Sequence, residues 1–270
     1  MSKKVAFLAL TYGDFQKEDA MCMFFDQERY ADLFNLYIHP KESLSPHWDK
    51  YSLPNEYIIR NTKWGCFSLV SATINLLRYA LNDADNDRFI LISDAHLPLY
   101  NMKDVYEKIY EEQSSLCFKD FHNDSIAKHR FFKMLKLKKN RALCSPLRYD
   151  CRAFVSQWFM CDRDAAKKFV DAYDNLVDYF DTTCESYADE CWFAVIANHL
   201  NLKWKDRSFC FSDWDWETEK YMIDRGCKLN PHTFGIVDNT FIDAQRKLGN
   251  IFIRKVHSST AVDLKYLINI

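Results

Sequence analysis

Apolar residues along this chain fall into short runs and spaced stripes, each cut off sharply by polar residues. Val5 to Leu10 is a continuous apolar run broken by Gly13-Asp14, which predicts a buried strand. Asp14 to Asp32 has helical spacing, with Phe15, Met21, Phe24 and Phe25 apolar. Phe34 to Ile38 predicts a second strand, stopped by His39-Pro40-Lys41, and Tyr57-Ile58-Ile59 a short third. Ser68 to Leu81 predicts an amphipathic helix with a stripe of Leu69, Val70, Ala72, Leu76, Leu77 and Ala80. Phe89 to Ser93 is again strand-like, and Asp104 to Glu112 helical with Val105, Tyr106 and Ile109 inward. Phe154 to Cys161 alternates toward strand, and Asp164 to Phe180 is helical. This β-α-β-β-α-β order predicts an α/β fold with a mainly parallel sheet and helices on both faces.

The segment Phe89 to Asn101 locates a candidate site. A buried run ends abruptly in Ser93-Asp94, and open α/β sheets bind ligands beyond such carboxyl ends of strands. The 270 residues suffice for a sizeable core, with 48% hydrophobic. Gly and Pro number only 5 and 6, and no linker or repeat interrupts the chain, so one domain over 1–270 is expected. A net charge of −2 argues against general nucleic-acid binding. Two lysines precede the first apolar run, but Gly13-Asp14 end it within a few residues and no cleavage site follows. No stretch approaches a membrane span, and a cytoplasmic location is expected. The ten cysteines are scattered singly, which favours reduced thiols, and Cys184 and Cys191 lack the CxxC spacing of a zinc site.

Charge is unevenly distributed. Lys128 to Arg152 holds nine basic residues and one acid, which reads either as a solvated loop or as a loop closing over an anionic or polar ligand. Ser186-Tyr187-Ala188-Asp189 fits a capping box, followed by the helical spacing of Trp192, Phe193, Val195, Ile196 and Leu200. Glu190 then lies near the positive end of that helix dipole. It is either an ordinary first-turn acid or a carboxylate placed to accept a proton from a substrate hydroxyl. Asp213-Trp214-Asp215 has the form of a metal-binding DxD but lies far from any central strand. Trp214 and Trp216 read better as walls of a sugar subsite or as packing.

Six blocks in order resemble the core-2/I-branching glycosyltransferase family, with its plant and xylosyltransferase relatives. Ser93-Asp94 with Leu97-Pro98-Leu99-Tyr100-Asn101 is similar to the family's Ser-Asp/Glu and Ile-Pro-Leu-Tyr-Asn signature. Trp64-Gly65-Cys66-Phe67-Ser68 with Leu76-Leu77-Arg78-Tyr79-Ala80-Leu81, and Ser156-Gln157-Trp158-Phe159 with Arg163, resemble two further blocks. Tyr187 with Asp189-Glu190, Pro231-His232-Thr233-Phe234-Gly235, and Phe252-Ile253-Arg254-Lys255 resemble the last three.

The resemblance implies a GT-A-like fold with a mixed central sheet, and inverting, metal-independent transfer from a UDP-sugar, chiefly UDP-N-acetylglucosamine, to a glycan or glycoprotein. It implies residues 1–115 as a donor-binding half and 116–270 as an acceptor and catalytic half. It makes Glu190 the base and Lys255, helped by Arg254, the counter-charge to the diphosphate. His232 is a candidate second cation, since Ile236 stands where plant relatives carry arginine. His39, Lys41, Lys63, Trp64 and Asp94 are implied donor contacts. Arg130, Trp158, Trp214 and Trp216 are assigned to the acceptor side, with Lys128 and Lys133 beside Arg130 shaping the acceptor pocket. No cofactor or metal is expected. The chain resembles a bare catalytic domain of the kind a microbe or virus would use. Xylosyl or glucuronosyl transfer and a non-catalytic sugar- or nucleotide-binding role are the alternatives. A nucleotide-dependent oxidoreductase is disfavoured because Gly13 stands without a GxGxxG pattern.

Overall fold

The computed structural model describes residues 3–135, 137, 138, 141, 142, 146–183, 185–214 and 231–268. The chain begins with β1 (Lys4–Thr11), α1 (Glu18–Phe25), β2 (Phe34–Pro40), α2 (Pro46–Asp49) and α3 (Ser68–Ala80). Next come β3 (Asn86–Ser93), β4 (Leu97–Pro98), α4 (Met102–Glu111), β5 (Leu116–Phe118), α5 (Asp124–Met134), and the paired β6 (Leu137–Lys138) and β7 (Arg141–Ala142). β8 (Met160–Asp162), α6 (Arg163–Leu176), α7 (Trp192–His199), β9 (Lys205–Asp206) and β10 (Cys210–Ser212) follow. The last elements are β11 (Phe234–Val237), α8 (Asn239–Lys247), β12 (Phe252–Arg254), β13 (Val256–Val262) and α9 (Leu264–Ile268).

The main sheet has the order β2-β1-β3-β8-β5-β9. Three of its five neighbour pairs are parallel, and β8 runs antiparallel to both β3 and β5. This mixed, mainly parallel sheet flanked by helices is consistent with the expected GT-A-like fold. In β1, Ala6, Leu8 and Leu10 pack toward α3, α6 and α7, while Val5, Phe7 and Ala9 pack toward α1 and α4. Burial on both faces is why the strand reads as one apolar run rather than an alternation. Both halves of the chain feed this sheet. β10, β12 and β4 form a smaller sheet, and β4, β11, β12, β13 and α8 contribute to a third core. No helix among the described residues is long and apolar enough to cross a membrane.

Several expected elements differ. The helix expected over 14–32 is confined to Glu18–Phe25, followed by a 3-10 turn at Glu28–Tyr30. Asp14 Oδ1 instead accepts the N–H of Ser45, which precedes α2, and Gln16 N–H donates to the Asp94 carbonyl just past β3. Tyr57-Ile58-Ile59 is no strand. Tyr57 closes a 3-10 turn that begins at Asn55, and Ile59 N–H donates to His39 Nε2 rather than to a ladder. Of the alternating stretch 154–161 only Met160 and Cys161 fall in a strand, β8. Upstream of it, Val155 N–H donates to the Glu190 carbonyl and Ser156 N–H to that of Lys119, outside the sheet. The helix expected over 164–180 starts at Arg163, capped by Asp162, and ends at Leu176 before a 3-10 turn at Val177–Tyr179. Lys128, Arg130 and Lys133 lie on α5, whose first turn is capped by Asn123, and not on a loop.

Candidate active site

The carboxyl ends of β1, β2, β3, β10 and β12 converge on a cleft of about 290 Å³. Asp94, just past β3, lies at its floor. Its Oδ2 accepts Tyr12 N–H at 3.1 Å, so the first residue after β1 is tied to the first after β3. Burial pushes the Asp94 pKa up, and the Tyr12 N–H and the charges of Arg254 and Lys255 oppose that shift. Ser93 is fixed from behind by His96, whose Nδ1 accepts Ser93 N–H at 2.9 Å and lies 2.9 Å from Ser93 Oγ. His96 is completely buried, which drives its pKa well down and keeps the ring neutral.

Arg254 ends β12 with its guanidinium 4.5 Å over the Trp158 ring. Burial lowers its pKa, and its Nε has no hydrogen-bond partner among the described residues. Trp158, expected on the acceptor side, is thus the platform for a cation, and it meets His96 edge-on at 4.7 Å. The Lys255 backbone is clasped on both sides: its carbonyl accepts Phe234 N–H and its N–H donates to the His232 carbonyl. The Arg254–Lys255 peptide is cis.

Glu190 also lines the cleft. It closes a 3-10 turn, Ala188–Glu190, whose preceding residue Tyr187 has φ 51°. The expected capping box is not formed. Cys191 precedes α7, Ser186 Oγ is buried with no hydrogen-bond partner among the described residues, and Asp189 lies inside the turn. The backbone instead docks on the Trp64-Gly65 turn, where the Gly65 carbonyl accepts both Ser186 N–H and Tyr187 N–H. Arg130 reaches from α5 to form an ion pair with Glu190 Oε2. Its guanidinium lies 4.3 Å from the Phe154 ring centre and 4.6 Å from that of Tyr187. The neighbouring Asp189 carboxyl is raised to about 7, by burial first and by the Glu190 charge second.

His39, Lys41, Lys63, Trp64, Asp94, Trp158, Glu190, Trp214, Arg254 and Lys255 all line the cleft. Arg130 sits behind Glu190. His39 is 2% exposed and its Nε2 is committed to Ile59 N–H, while burial brings its pKa to about 4, so the ring is neutral. His232 is buried beside the cleft but does not line it; Pro231 does. Trp216 and Asp215 fall outside the described residues. Thr11, Tyr12, Gln157 and Asp189 also line the cleft, and sequence reasoning missed them. The break after β1 carried the signal for Thr11 and Tyr12, since it is the same kind of strand end as Ser93-Asp94.

The strand ends of an α/β sheet thus bring Asp94, Arg254 and Lys255 to one cleft, which Glu190 joins from the turn before α7. The family is identified by comparison: the chain belongs to the Core-2/I-Branching enzyme family, whose pattern matches residues 5–246. It is 41% identical over 217 residues to "Glycosyltransferase BC10" of Oryza sativa subsp. japonica, covering 70% of this chain and 51% of that protein. The chain therefore spans about half the length of that curated relative. Among solved structures it is similar to A197 from STIV at a TM-score of 0.30 and 9% identity, over 61% of this chain and 68% of the other, a likeness too slight to carry an argument.

Proposed function

We propose that the chain is an inverting glycosyltransferase that moves a sugar, with N-acetylglucosamine the first donor to test, from a UDP-sugar to a glycan hydroxyl. The observation that carries this reading is the convergence of Glu190 with Arg254 and Lys255 on one cleft above Asp94. In the reaction, the acceptor oxygen attacks the anomeric carbon while the bond to the diphosphate oxygen breaks on the opposite face. The hydroxyl proton passes to Glu190, and UDP leaves with the electron pair.

The Arg130 contact engages Glu190 Oε2 and leaves Oε1 for the acceptor hydroxyl. Arg254, stacked on Trp158 and largely withdrawn from water, meets the growing negative charge on UDP without having to reorganise, as does Lys255. A single carboxylate, Asp94, at the strand end with two cations beside it supports side chains rather than a metal as the counter-charge. His39, Lys41, Lys63 and Trp64 surround the donor in this reading, Trp214 flanks the acceptor, and Arg130 acts on the acceptor side through Glu190. The buried, neutral His39 ring is suited to line the nucleoside pocket rather than to bind phosphate.

Glu190→Gln tests the base directly. Transfer, followed as UDP release in the presence of acceptor, is expected to fall roughly 10²–10⁴-fold while UDP affinity by calorimetry stays near that of the parent. Turnover close to the parent rate would remove Glu190 from the mechanism.

A further inference from the structure

A second cluster of polar side chains lies outside the cleft, where the end of α1 meets α2. Cys22 is in the last turn of α1 and Asp26 caps it, and their i, i+4 spacing sets both on one side of the helix. His47, in α2, faces them. Its Nε2 is 3.5 Å from Cys22 Sγ and 3.2 Å from Asp26 Oδ2, and the three donor atoms all lie within 4.8 Å of one another. None of the three residues lines the cleft.

The two His47 separations match edges of a coordination tetrahedron. Zinc takes sulfur at about 2.3 Å and nitrogen or oxygen at about 2.0–2.1 Å, which places S and N about 3.5 Å apart and N and O about 3.3 Å apart. The donor set also selects the metal class. A thiolate with an imidazole and one carboxylate suits Zn²⁺ or Co²⁺, whereas Mg²⁺ and Ca²⁺ require oxygen shells. The side chains of His47 and Asp26 are each 35% exposed, so water has access to a fourth position. Lys50 Nζ lies 3.9 Å from Asp26 Oδ1, the other carboxylate oxygen.

We propose that Cys22, Asp26 and His47 form a zinc-class metal site with three protein ligands and one water, separate from the catalytic cleft. Binding releases the Cys22 thiol proton to solvent and uses His47 as the neutral imidazole. The bound ion would clip the end of α1 to the chain that follows β2. That chain is already tied down at Ser45 by Asp14 and at Trp48, whose indole N–H donates to Glu18 Oε1. The site therefore serves the fold around the cleft rather than the chemistry within it, and it stands or falls independently of the transferase reading. Nothing in the linear spacing of Cys22, Asp26 and His47 resembles a zinc motif; the tertiary fold alone assembles them.

The test is titration of the chelator-stripped full chain with Zn²⁺ by calorimetry and with Co²⁺ by absorbance. Saturable binding of about one Zn²⁺ per chain is expected, with Co²⁺ giving tetrahedral visible bands and a thiolate-to-metal band. Cys22→Ser should abolish the thiolate band. Cys22→Ser and His47→Ala should each weaken Zn²⁺ by roughly tenfold or more, while both retain the parent's circular dichroism and UDP affinity. Asp26→Asn serves as a further probe if either variant misfolds. Absence of saturable Zn²⁺ binding, or an unchanged Co²⁺ spectrum in Cys22→Ser, would show a hydrogen-bonded cluster only and overturn the proposal.

Discussion

Two buried groups near the cleft respond to pH in opposite directions. Asp189 titrates near 7 in the folded chain against an ordinary 3.8, so the fold holds its proton more tightly between those values. Its contribution to stability is complete below about pH 4 and is lost as pH rises toward 7. His39 is lowered to about 4 from 6.5, so its contribution is complete above pH 6.5 and is lost as pH falls toward 4. The expected outcome is a shallow net dependence across this window that single variants expose. Asp189→Asn should make the melting temperature rise more steeply with pH, and His39→Gln, which can still accept from Ile59, should make it fall. Unchanged profiles in both would remove these groups from the pH response. At Lys255, replacement by Ala should weaken UDP roughly 10–100-fold by calorimetry, the loss expected for one charge-assisted contact. Full UDP affinity in that variant would refute its place on the diphosphate.

Among the elements, the short turn that carries Glu190 depends on the Trp64-Gly65 turn. Gly65 has φ +71°, and a Cβ there would stand 3.3 Å from the Tyr187 ring. Tyr187 is itself left-handed, so two unusual backbone conformations face each other beside the proposed base. Gly65→Ala should cost about 1–2 kcal/mol by denaturant unfolding and lower kcat more than UDP affinity, because the strain falls on the base-bearing turn. Equal loss of stability with an unchanged kcat would separate this turn from catalysis. This element is also where sequence reasoning failed most clearly. Ser186 and Asp189 have the spacing of a capping box, yet the Gly65 carbonyl takes the backbone N–H groups of Ser186 and Tyr187, and a partner from far along the chain displaces the local one. The lost strand at Tyr57-Ile59 has the same cause, since His39 claims the Ile59 N–H.

For the whole molecule, the cleft and the α1–α2 metal site predict different responses to a chelator. Transfer should survive EDTA at the parent rate, whereas Zn²⁺ added back to stripped protein should raise the melting temperature. Strict dependence of transfer on Mn²⁺ would instead move the counter-charge to a metal at Asp94. The sequence by itself determined β1, β2, β3 and the helices α3, α4, α6 and α7, with polar residues stopping the strands near His39 and at Ser93, because burial on both faces writes continuous apolar runs that polar residues must terminate. Its motifs also indicated Glu190, Asp94, Arg254 and Lys255. Only the tertiary structure decided that Arg130 lies on a helix and grips Glu190, that Trp158 bears Arg254, and that His39 is a neutral acceptor. Those pairings join residues far apart in the chain, and their geometry comes from packing between layers that no local periodicity encodes.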